Sequence, residues 1–315
     1  KNMNNFKKIG LTALAGSLVA FSVNAGEMSV SGSASVSLSQ ADETAAAGYS
    51  QGDSLTFTGS GETDGGLTVS VSFEVDGDNA GFDDRSFSVA SDTIGTVTFS
   101  GSGGSSVMGS NDDRTPSAYE EVWTGTTGAS ADVVGGIGGT NLIRYDSPSI
   151  SGVTVSLAHQ AAEQTATAST YTDYGVEIKP EMVEGLTLGY AEGSYDTSAT
   201  LSTDESTMYA LYTMGGASVG YQTSEINAGT ADTTDETVSM SISYAVSENI
   251  SISYGTHTVD FGDIATDQES SGFSASYTMG GMTVSGYMNN TDNVAGSTLA
   301  TADRESYELN LAFAF

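Results

Sequence analysis

Residues 67–75 read LTVSVSFEV, and apolar and polar side chains alternate along them. The same alternation recurs in residues 236–246 (ETVSMSISYAV) and 305–315 (ESYELNLAFAF). Because successive side chains of a β-strand point to opposite faces, each segment would have one apolar and one polar face. After an apolar stretch at residues 9–23, no apolar run approaches the length of a membrane-spanning helix. The pattern predicts an all-β fold.

Alternating segments of this kind recur along the chain, and short turns alternate with longer polar loops between them. We predict sixteen strands, near residues 27–39, 53–60, 67–75, 84–90, 96–101, 141–148, 153–162, 171–178, 186–193, 205–214, 217–226, 236–246, 250–258, 270–279, 282–289 and 303–315. Glycine pairs such as Gly215-Gly216 and Gly280-Gly281 suit tight hairpins. Short turns at one end and long loops at the other are typical of a closed antiparallel transmembrane β-barrel.

Charged residues in these segments favour the polar face, as a water-filled barrel requires, because a charge facing lipid at mid-membrane costs about 2–4 kcal/mol. The charges on the polar parity are Glu74, Arg144, Asp146, Asp173, Glu177 and Glu308. The exceptions are predicted to lie at strand ends beside long loops: Arg85, Glu192, Glu225, Glu236 and Glu305. A soluble β-sandwich would show the same parity, so parity alone leaves both folds open.

Several aromatic residues are predicted near the turn-side ends of even-numbered strands, on the apolar parity. They are Tyr212, Tyr244, Tyr277 and Phe315. Rings at that level would form an interfacial girdle, although tyrosine is also common in ordinary strands. Together with the strand count, the turn asymmetry and the export signal described next, they favour the membrane barrel over the sandwich.

The first 25 residues have the three parts of a secretory signal: a positive start, the apolar stretch at residues 9–23, and a small-residue cleavage site at Ala25 before Gly26. A buried core helix is the alternative interpretation of that stretch. We predict a signal peptide at residues 1–25, a single barrel domain at residues 26–315, and a location in the outer membrane of a Gram-negative bacterium.

The charge of the chain excludes several partners. Outside the predicted signal it has five basic and 40 acidic residues, a net charge of −35. Nucleic acid is excluded as a partner because its phosphates need lysine and arginine. Cations are the natural mobile partners of such a surface. The absence of cysteine excludes disulfides, thiolate metal sites and cysteine nucleophiles, and we predict no cofactor and no resident metal.

One predicted connection, the third long loop at about residues 102–140, is much longer than the others. It contains the one tryptophan, Trp123, and the charged residues Asp112, Asp113, Arg114, Glu120, Glu121 and Asp132. Loops of this length are usually functional or disordered. A sixteen-stranded barrel leaves an aqueous lumen, so a loop folded into it would narrow the channel and impose charge selectivity.

Five pieces of sequence carry a resemblance to a known family. They are residues 63–69 (TDGGLTV), 94–99 (IGTVTF), 141–148 (NLIRYDSP), 212–216 (YTMGG) and the terminal Phe315. With them the chain resembles the Rhodobacter-type, alphaproteobacterial members of the general Gram-negative porins. The resemblance covers the whole length after the signal. It implies a homotrimer of channels for small hydrophilic solutes, embedded in lipid and lipopolysaccharide.

The resemblance also implies roles for particular residues. The third loop would bend inward, and Asp112, Asp113, Arg114, Glu120, Glu121 and Asp132 would form the constriction. Arg144 and Asp146 would lie on the facing wall, and Tyr307, Phe313 and Phe315 would form the signal read by the outer-membrane assembly machinery. The chain departs from the family in having few wall arginines. After the signal its basic residues are Arg85, Arg114, Arg144, Lys179 and Arg304, too few for a full basic ladder.

The main functional hypothesis is therefore a passive, cation-preferring porin that is not an enzyme, with divalent cations at its acidic loops. The alternative is a non-conducting acidic outer-membrane barrel for adhesion or envelope structure, which would display the third loop outside. A third hypothesis, a lipolytic enzyme, rests on residues 52–55 (GDSL). It would need a histidine base beside Ser54, and the chain has only His159 and His257.

Overall fold

The computed structural model describes residues 27–42, 45–77, 82–126, 128–129, 134–136, 139–161, 170–198, 201–229 and 234–315. The predicted signal peptide, its cleavage site at Ala25 and Gly26, and Asp132 of the third loop lie outside these residues.

Within the described residues, sixteen antiparallel strands form one closed barrel, in which each strand pairs with its sequence neighbours and β1 pairs with β16. The strands are β1 (Glu27–Gln40), β2 (Gly48–Glu62), β3 (Thr68–Asp76), β4 (Arg85–Ser91), β5 (Gly95–Ser102), β6 (Leu142–Asp146), β7 (Val153–Gln160), β8 (Tyr171–Ile178), β9 (Leu186–Ser198), β10 (Leu201–Met214), β11 (Ala217–Asn227), β12 (Thr234–Ser247), β13 (Ile250–Asp260), β14 (Gln268–Met279), β15 (Met282–Asp292) and β16 (Arg304–Ala314). The predicted strand number and antiparallel barrel are confirmed. None of the helices in this part of the chain is long and apolar enough to span a bilayer.

The exposure of the side chains places the polar parity inside the barrel and the apolar parity outside. Val36, Ile242 and Leu309 are about half exposed, at 50%, 48% and 55%, on the outer surface. Ser285 and Thr291, on the inner face, are buried. This is the reverse of a soluble sandwich, whose apolar faces pack together in a dry core, so the sandwich alternative is excluded.

The two ends of the barrel differ as predicted. The connections 215–216, 248–249 and 280–281 are tight turns at one end, and Gly215 and Gly280 adopt positive φ angles of 62° and 65° there. At the same end, the backbone amides of Gly32 and Phe315 each donate to the other residue's carbonyl, at 2.9 and 3.0 Å. The predicted girdle residues are exposed on the outer surface: Tyr212, Tyr244, Tyr277 and Phe315.

Outward-facing carboxylates mark the opposite limit of the apolar surface. Glu236 of β12 lies directly opposite Glu225 of β11 and Asp260 of β13. Like charges directly opposite each other are destabilising, so this level must lie in water rather than hydrocarbon. The prediction that Glu192 ends its strand was wrong, because β9 continues to Ser198. Its carboxylate is exposed and accepts hydrogen bonds from the hydroxyls of Tyr174 and Tyr190, at 2.6 and 2.9 Å.

Candidate functional site

The predicted third loop is the connection between β5 and β6, and its described residues, 103–126, 128–129, 134–136 and 139–141, fold into the barrel. Its two limbs are joined near the wall, where the Gly104 amide donates to the Gly139 carbonyl at 3.1 Å. Between these points the described loop residues hydrogen-bond to inner-face side chains of β6, β8 and β10–β16. The inward course predicted for this loop is therefore confirmed. A loop held inside the barrel is not displayed outside, as the adhesion hypothesis would require.

Both limbs of the third loop are fixed by an apolar cluster inside the barrel, beside β6–β9. The cluster consists of Val107, Met108, Val134, Leu142, Ala158, Tyr171 and Ala191. Buried carboxylates on the wall accept backbone hydrogen bonds from both limbs. The Met108 amide donates to Asp173 Oδ2 at 2.8 Å, and the Gly136 amide donates to Glu205 Oε2 at 2.9 Å. These bonds satisfy loop amides that water cannot reach.

Arg144 of β6 projects from the inner wall, the position predicted for it. Its Nη1 donates to the carbonyls of Ser105 and Ser106 at 3.3 and 3.0 Å and to Ser110 Oγ at 3.0 Å. Its Nη2 forms an ion pair with Asp146 Oδ1 at 2.9 Å. Arg144 and Asp146 thus share the inner face, but the arginine supports the base of the loop and its charge is compensated.

Arg114, in the loop, is also paired with a carboxylate of the wall. Its Nη2 lies 3.0 Å from Glu177 Oε2, and its guanidinium lies 4.9 Å from the ring centroid of Tyr209. Lys179 pairs with the same glutamate at 2.7 Å, and Arg304 lies 3.8 Å from Asp42. Among the described residues, four of the five basic side chains expected in the mature barrel are therefore paired with carboxylates.

Of the predicted acidic residues of the loop, the four that the structure describes separate into two pairs. Asp112 and Glu120 are exposed to the lumen. Asp113 Oδ1 instead accepts hydrogen bonds from the amide and hydroxyl of Thr115, at 2.9 and 3.0 Å. Glu121 Oε2 accepts one from the hydroxyl of Thr124 at 3.2 Å. Sequence alone could not separate the pairs, because the loop has no periodic backbone that would reveal which way each side chain points.

Glu120 is held in an unusual backbone conformation. Its φ angle is 48°, in the left-handed region that costs a residue with a Cβ about 1–2 kcal/mol. The neighbouring Tyr119 is anchored by its hydroxyl, which donates to Glu308 Oε1 of β16 at 2.6 Å, and by its ring, which stacks on that of Tyr287 at 6.2 Å. Such strain persists only where the surroundings impose it.

The side of the lumen opposite the loop contacts is lined by hydroxyls. On β1 and β2, Ser33 pairs with Ser54 and Ser37 with Ser50 through hydrogen bonds of 3.1 and 2.7 Å. Beside them, a cavity of about 360 Å³ lies between the loop base and the wall of β3–β6. Its lining includes Ser72, Glu74, Arg85, Thr98 and Arg144. A polar-lined space large enough for water therefore lies beside the loop.

The serine-hydrolase hypothesis has no support in this arrangement. Ser54 lies on β2, whereas His159 lies on β7 and His257 on β13. The imidazole of His257 bonds to Ser239 Oγ at 2.8 Å and packs on the ring of Trp123, with 4.2 Å between centroids. That of His159 bonds to Thr172 at 3.0 Å. Neither histidine is placed to activate Ser54, which nucleophilic catalysis would require.

The wall residues that hold the middle of the loop were not singled out from the sequence. They are Gln222, Ser241, Ser253, Ser274, Asn289 and Ser306. All lie on the predicted polar parity, together with many serines that make no loop contact. Only the inward course of the loop distinguishes them.

Comparisons with known proteins agree with this architecture. A family model described as Gram-negative porin matches residues 10–293. A sequence search of curated proteins found no significant match. Among solved structures, a porin refined at 1.8 Å resolution superposes with a TM-score of 0.71 at 15% identity, over 92% of this chain and all of that one.

Two further solved structures have similar overlap. The anion-selective porin of Comamonas acidovorans has a TM-score of 0.71 at 16% identity, over 92% of this chain and all of its own. OmpT of Vibrio cholerae, in its trimer form, has a TM-score of 0.72 at 12% identity, over 93% of this chain and all of its own. At these identities the structures show the shared fold. The family match covers most of the sequence, and the chain belongs to the Gram-negative porins.

Proposed function

We propose that this porin is a passive channel for ions and small hydrophilic solutes, that it prefers cations, and that it catalyses no reaction. The observation that carries the cation preference is the unequal compensation of charge in the lumen. Arg114 and Arg144 are ion-paired, whereas Asp112 and Glu120 are exposed. Selectivity in a water-filled pore comes from its width and from the charges that line it.

The fold itself does not determine the sign of selectivity. The structurally similar porin of Comamonas acidovorans is described as anion-selective. The preference of this chain must therefore come from its own side chains. Glu177 pairs with both Arg114 and Lys179, and Asp146 pairs with Arg144. Because Glu177 is shared by two cations, one positive charge remains in that group. The exposed carboxylates of Asp112 and Glu120 provide two negative charges against it.

The test is reconstitution of the protein in a planar lipid bilayer with a KCl gradient. We expect stable ion-conducting steps and a reversal potential with the sign of cation preference. At low salt the preference should increase, because the Debye length grows from about 10 Å at 0.1 M to about 30 Å at 0.01 M. An anion preference would contradict the selectivity proposal. A folded barrel that conducts no ions would contradict the channel proposal itself.

The cation preference is expected to depend on pH through Asp113. Burial, with the nearby charges of Glu121 and Asp112, raises the pKa of this carboxyl to about 6 against the lowering effect of the Thr115 hydrogen bonds. Asp113 therefore gains a proton as pH falls through about 6, at a higher pH than an ordinary aspartate. The lumen loses negative charge there, so the reversal potential should decrease from pH 7 to pH 5.

The matched variant for this pH prediction is Asp113→Asn, which has no carboxyl to titrate. Its reversal potential should change less between pH 7 and pH 5 than that of the unmodified protein. An equal change in both proteins would assign the pH dependence to other groups. Glu120 is exposed, but partial desolvation by the neighbouring loop and wall, with the charges of Glu121 and Glu308, raises its pKa as well. The double variant with Glu120→Gln should therefore change still less with pH.

We also propose how this chain is exported and assembled. Residues 1–25 would direct export and be cleaved between Ala25 and Gly26. Tyr307, Phe313 and Phe315, outward-facing at the end of the chain, would be read by the outer-membrane assembly machinery.

We also propose that the protein is a homotrimer, which is supported by the structurally similar OmpT of Vibrio cholerae in its trimer form. Divalent cations at the acidic loops would bridge the surface to lipopolysaccharide. Native electrophoresis and mass measurement of the purified protein test the trimer and the cleavage.

A further inference from the structure

We propose that a fixed seat on the inner wall positions the third loop and thereby the exposed carboxylate of Glu120. The loop seat has two components. Its polar side chains are Gln222, Ser241, Ser253, Ser274, Asn289 and Ser306, and its glycines are Gly175, Gly220 and Gly255. The proposal rests on the channel function proposed above and adds the residues that position its charge.

The polar part of the seat provides one side chain from each of six consecutive strands. On β11, Gln222 Oε1 accepts from the Arg114 amide at 2.6 Å, and its Nε2 donates to the Asn111 carbonyl at 2.7 Å. On β12, the hydroxyl of Ser241 donates to the Pro116 carbonyl at 2.7 Å. The loop therefore meets the strands in their order around the barrel.

The order continues on β13–β16. The Ala118 amide donates to Ser253 Oγ at 2.9 Å, and the hydroxyl of Ser306 donates to the Thr124 carbonyl at 3.0 Å. Every one of these contacts is to loop main chain, so the wall recognises the course of the backbone. A loop lying inside a barrel must satisfy its amides and carbonyls, and this row provides the partners.

The glycines of the seat make room for loop side chains. A Cβ built on Gly175 of β8 would lie 2.7 Å from Val107 Cγ1, and one on Gly220 of β11 would lie 2.4 Å from Pro116 Cδ. A Cβ on Gly255 of β13 would lie 3.0 Å from Val122 Cγ1.

The backbone of these glycines explains why glycine is needed. None of the three has a φ angle in the left-handed region, so the conformation would accept other residues. Elsewhere on the strands a glycine weakens the sheet and has no side chain to pack. At these positions the missing side chain leaves space, because each glycine lies on the inner face directly beneath a loop side chain. The seat is thus shaped for the loop as well as hydrogen-bonded to it.

Two seat residues act directly on the geometry of Glu120. The amide of Tyr119, before it, donates to Ser274 Oγ at 3.0 Å. The carbonyl of Glu121, after it, accepts from Asn289 Nδ2 at 2.9 Å. With both flanking residues held by the wall, Glu120 takes its left-handed φ of 48° and remains exposed. Ser274 and Asn289 are therefore positioning residues for the charge in the lumen.

The first experiment removes the hydrogen bonds of both positioning residues with the double variant Ser274→Ala and Asn289→Ala. We expect a larger spread of single-channel conductances and a cation-to-anion permeability ratio lower by about threefold at 0.1 M salt, where a displaced charge acts over only about 10 Å. The matched control is Ser33→Ala with Ser54→Ala, which removes a hydroxyl pair from the wall of β1 and β2. The control should keep the ratio and the conductance of the unmodified protein.

A second pair of variants tests the space under the loop. Gly220→Val should displace the loop at Pro116 and change both conductance and selectivity. Gly52→Val, on β2 and away from the loop contacts, should not lower selectivity. Its Cβ would have only Ser35 Oγ nearby, at 3.1 Å. Heat-dependent mobility on electrophoresis shows whether each barrel has folded, so a misfolded variant is recognised.

A tether keeps the proposal testable even where those variants fold poorly. The chain has no cysteine, and Ala118 and Ser253 are in hydrogen-bond contact. A double variant Ala118→Cys and Ser253→Cys should form a disulfide and conduct like the reduced form, because the loop is already seated there. Loss of conductance when the cysteine variant is oxidised would overturn the proposal. Unchanged selectivity in the Ser274→Ala and Asn289→Ala double variant would also overturn it. Failure of the unmodified barrel to conduct would instead overturn the channel function.

Discussion

Replacing Asp112 and Glu120 together by lysine is expected to convert the proposed cation preference of the pore into an anion preference. These are the predicted constriction acids that the structure leaves exposed, and the substitution reverses the charge at both. A unit charge about 4 Å from an ion is worth about 1 kcal/mol even in bulk water. Two reversed charges should therefore change the permeability ratio by more than about tenfold. The measurement is the reversal potential in a KCl gradient.

The control for this reversal is the double variant Asp64→Lys and Glu248→Lys. Both residues are exposed in short turns, Asp64 between β2 and β3 and Glu248 between β12 and β13. The change in net charge is the same as in the loop variant. At 0.15 M salt, charges farther from the path than about 8 Å are screened, so the control should shift the reversal potential only slightly. Equal shifts in the two variants would mean that net charge, and not the third loop, sets selectivity.

Placing arginine on the outer surface is expected to destabilise the inserted barrel, whereas the same residue one position along should be accepted. Ile242 of β12 is 48% exposed on the apolar side, and Ser243 lies on the inner face beside it. An arginine facing lipid near the midplane costs about 2–4 kcal/mol. Ile242→Arg should therefore lower the free energy of unfolding from lipid vesicles by that amount, measured by urea titration.

The neighbouring variant Ser243→Arg serves as the control. Its guanidinium would point into water, so the free energy of unfolding should change by less than about 1 kcal/mol. It also adds a positive charge to the lumen, so the cation preference should weaken. If both arginines destabilise the barrel equally, the assignment of its outer face to lipid is wrong.

The strand count could be predicted from the sequence because the alternation with period two extends through every membrane-facing segment. The ends of some strands could not. β9 ends at Ser198, beyond the predicted end at residue 193. β10 begins at Leu201, before the predicted start at residue 205. Above the hydrocarbon, outward positions such as Glu192 no longer need to be apolar. The hydrogen-bonded ladder therefore continues where the amphipathic pattern has ended.

The candidate site was predictable only in outline. The length of the connection between β5 and β6 indicated a functional third loop, and the alternation of polar and apolar residues placed Arg144 and Asp146 on the inner wall. Parity could not show that Asp113 would bond to Thr115 while Asp112 stays exposed. Nor could it show that Ser274 contacts the loop, since it resembles every other inward serine. Both facts depend on the course of an irregular backbone, which carries no repeating pattern.

The pairing of β1 with β16, in which Ser33 lies opposite Ala314, has a consequence for how the molecule folds. Every other strand has a sequence neighbour on each side, but these two find each other only across nearly the whole chain. Until they meet, the sheet has two unpaired edges, which are templates for pairing with other chains. Contacts between residues so distant in sequence also form slowly. Ring closure is therefore the step at which misassembly between newly made copies competes with correct folding.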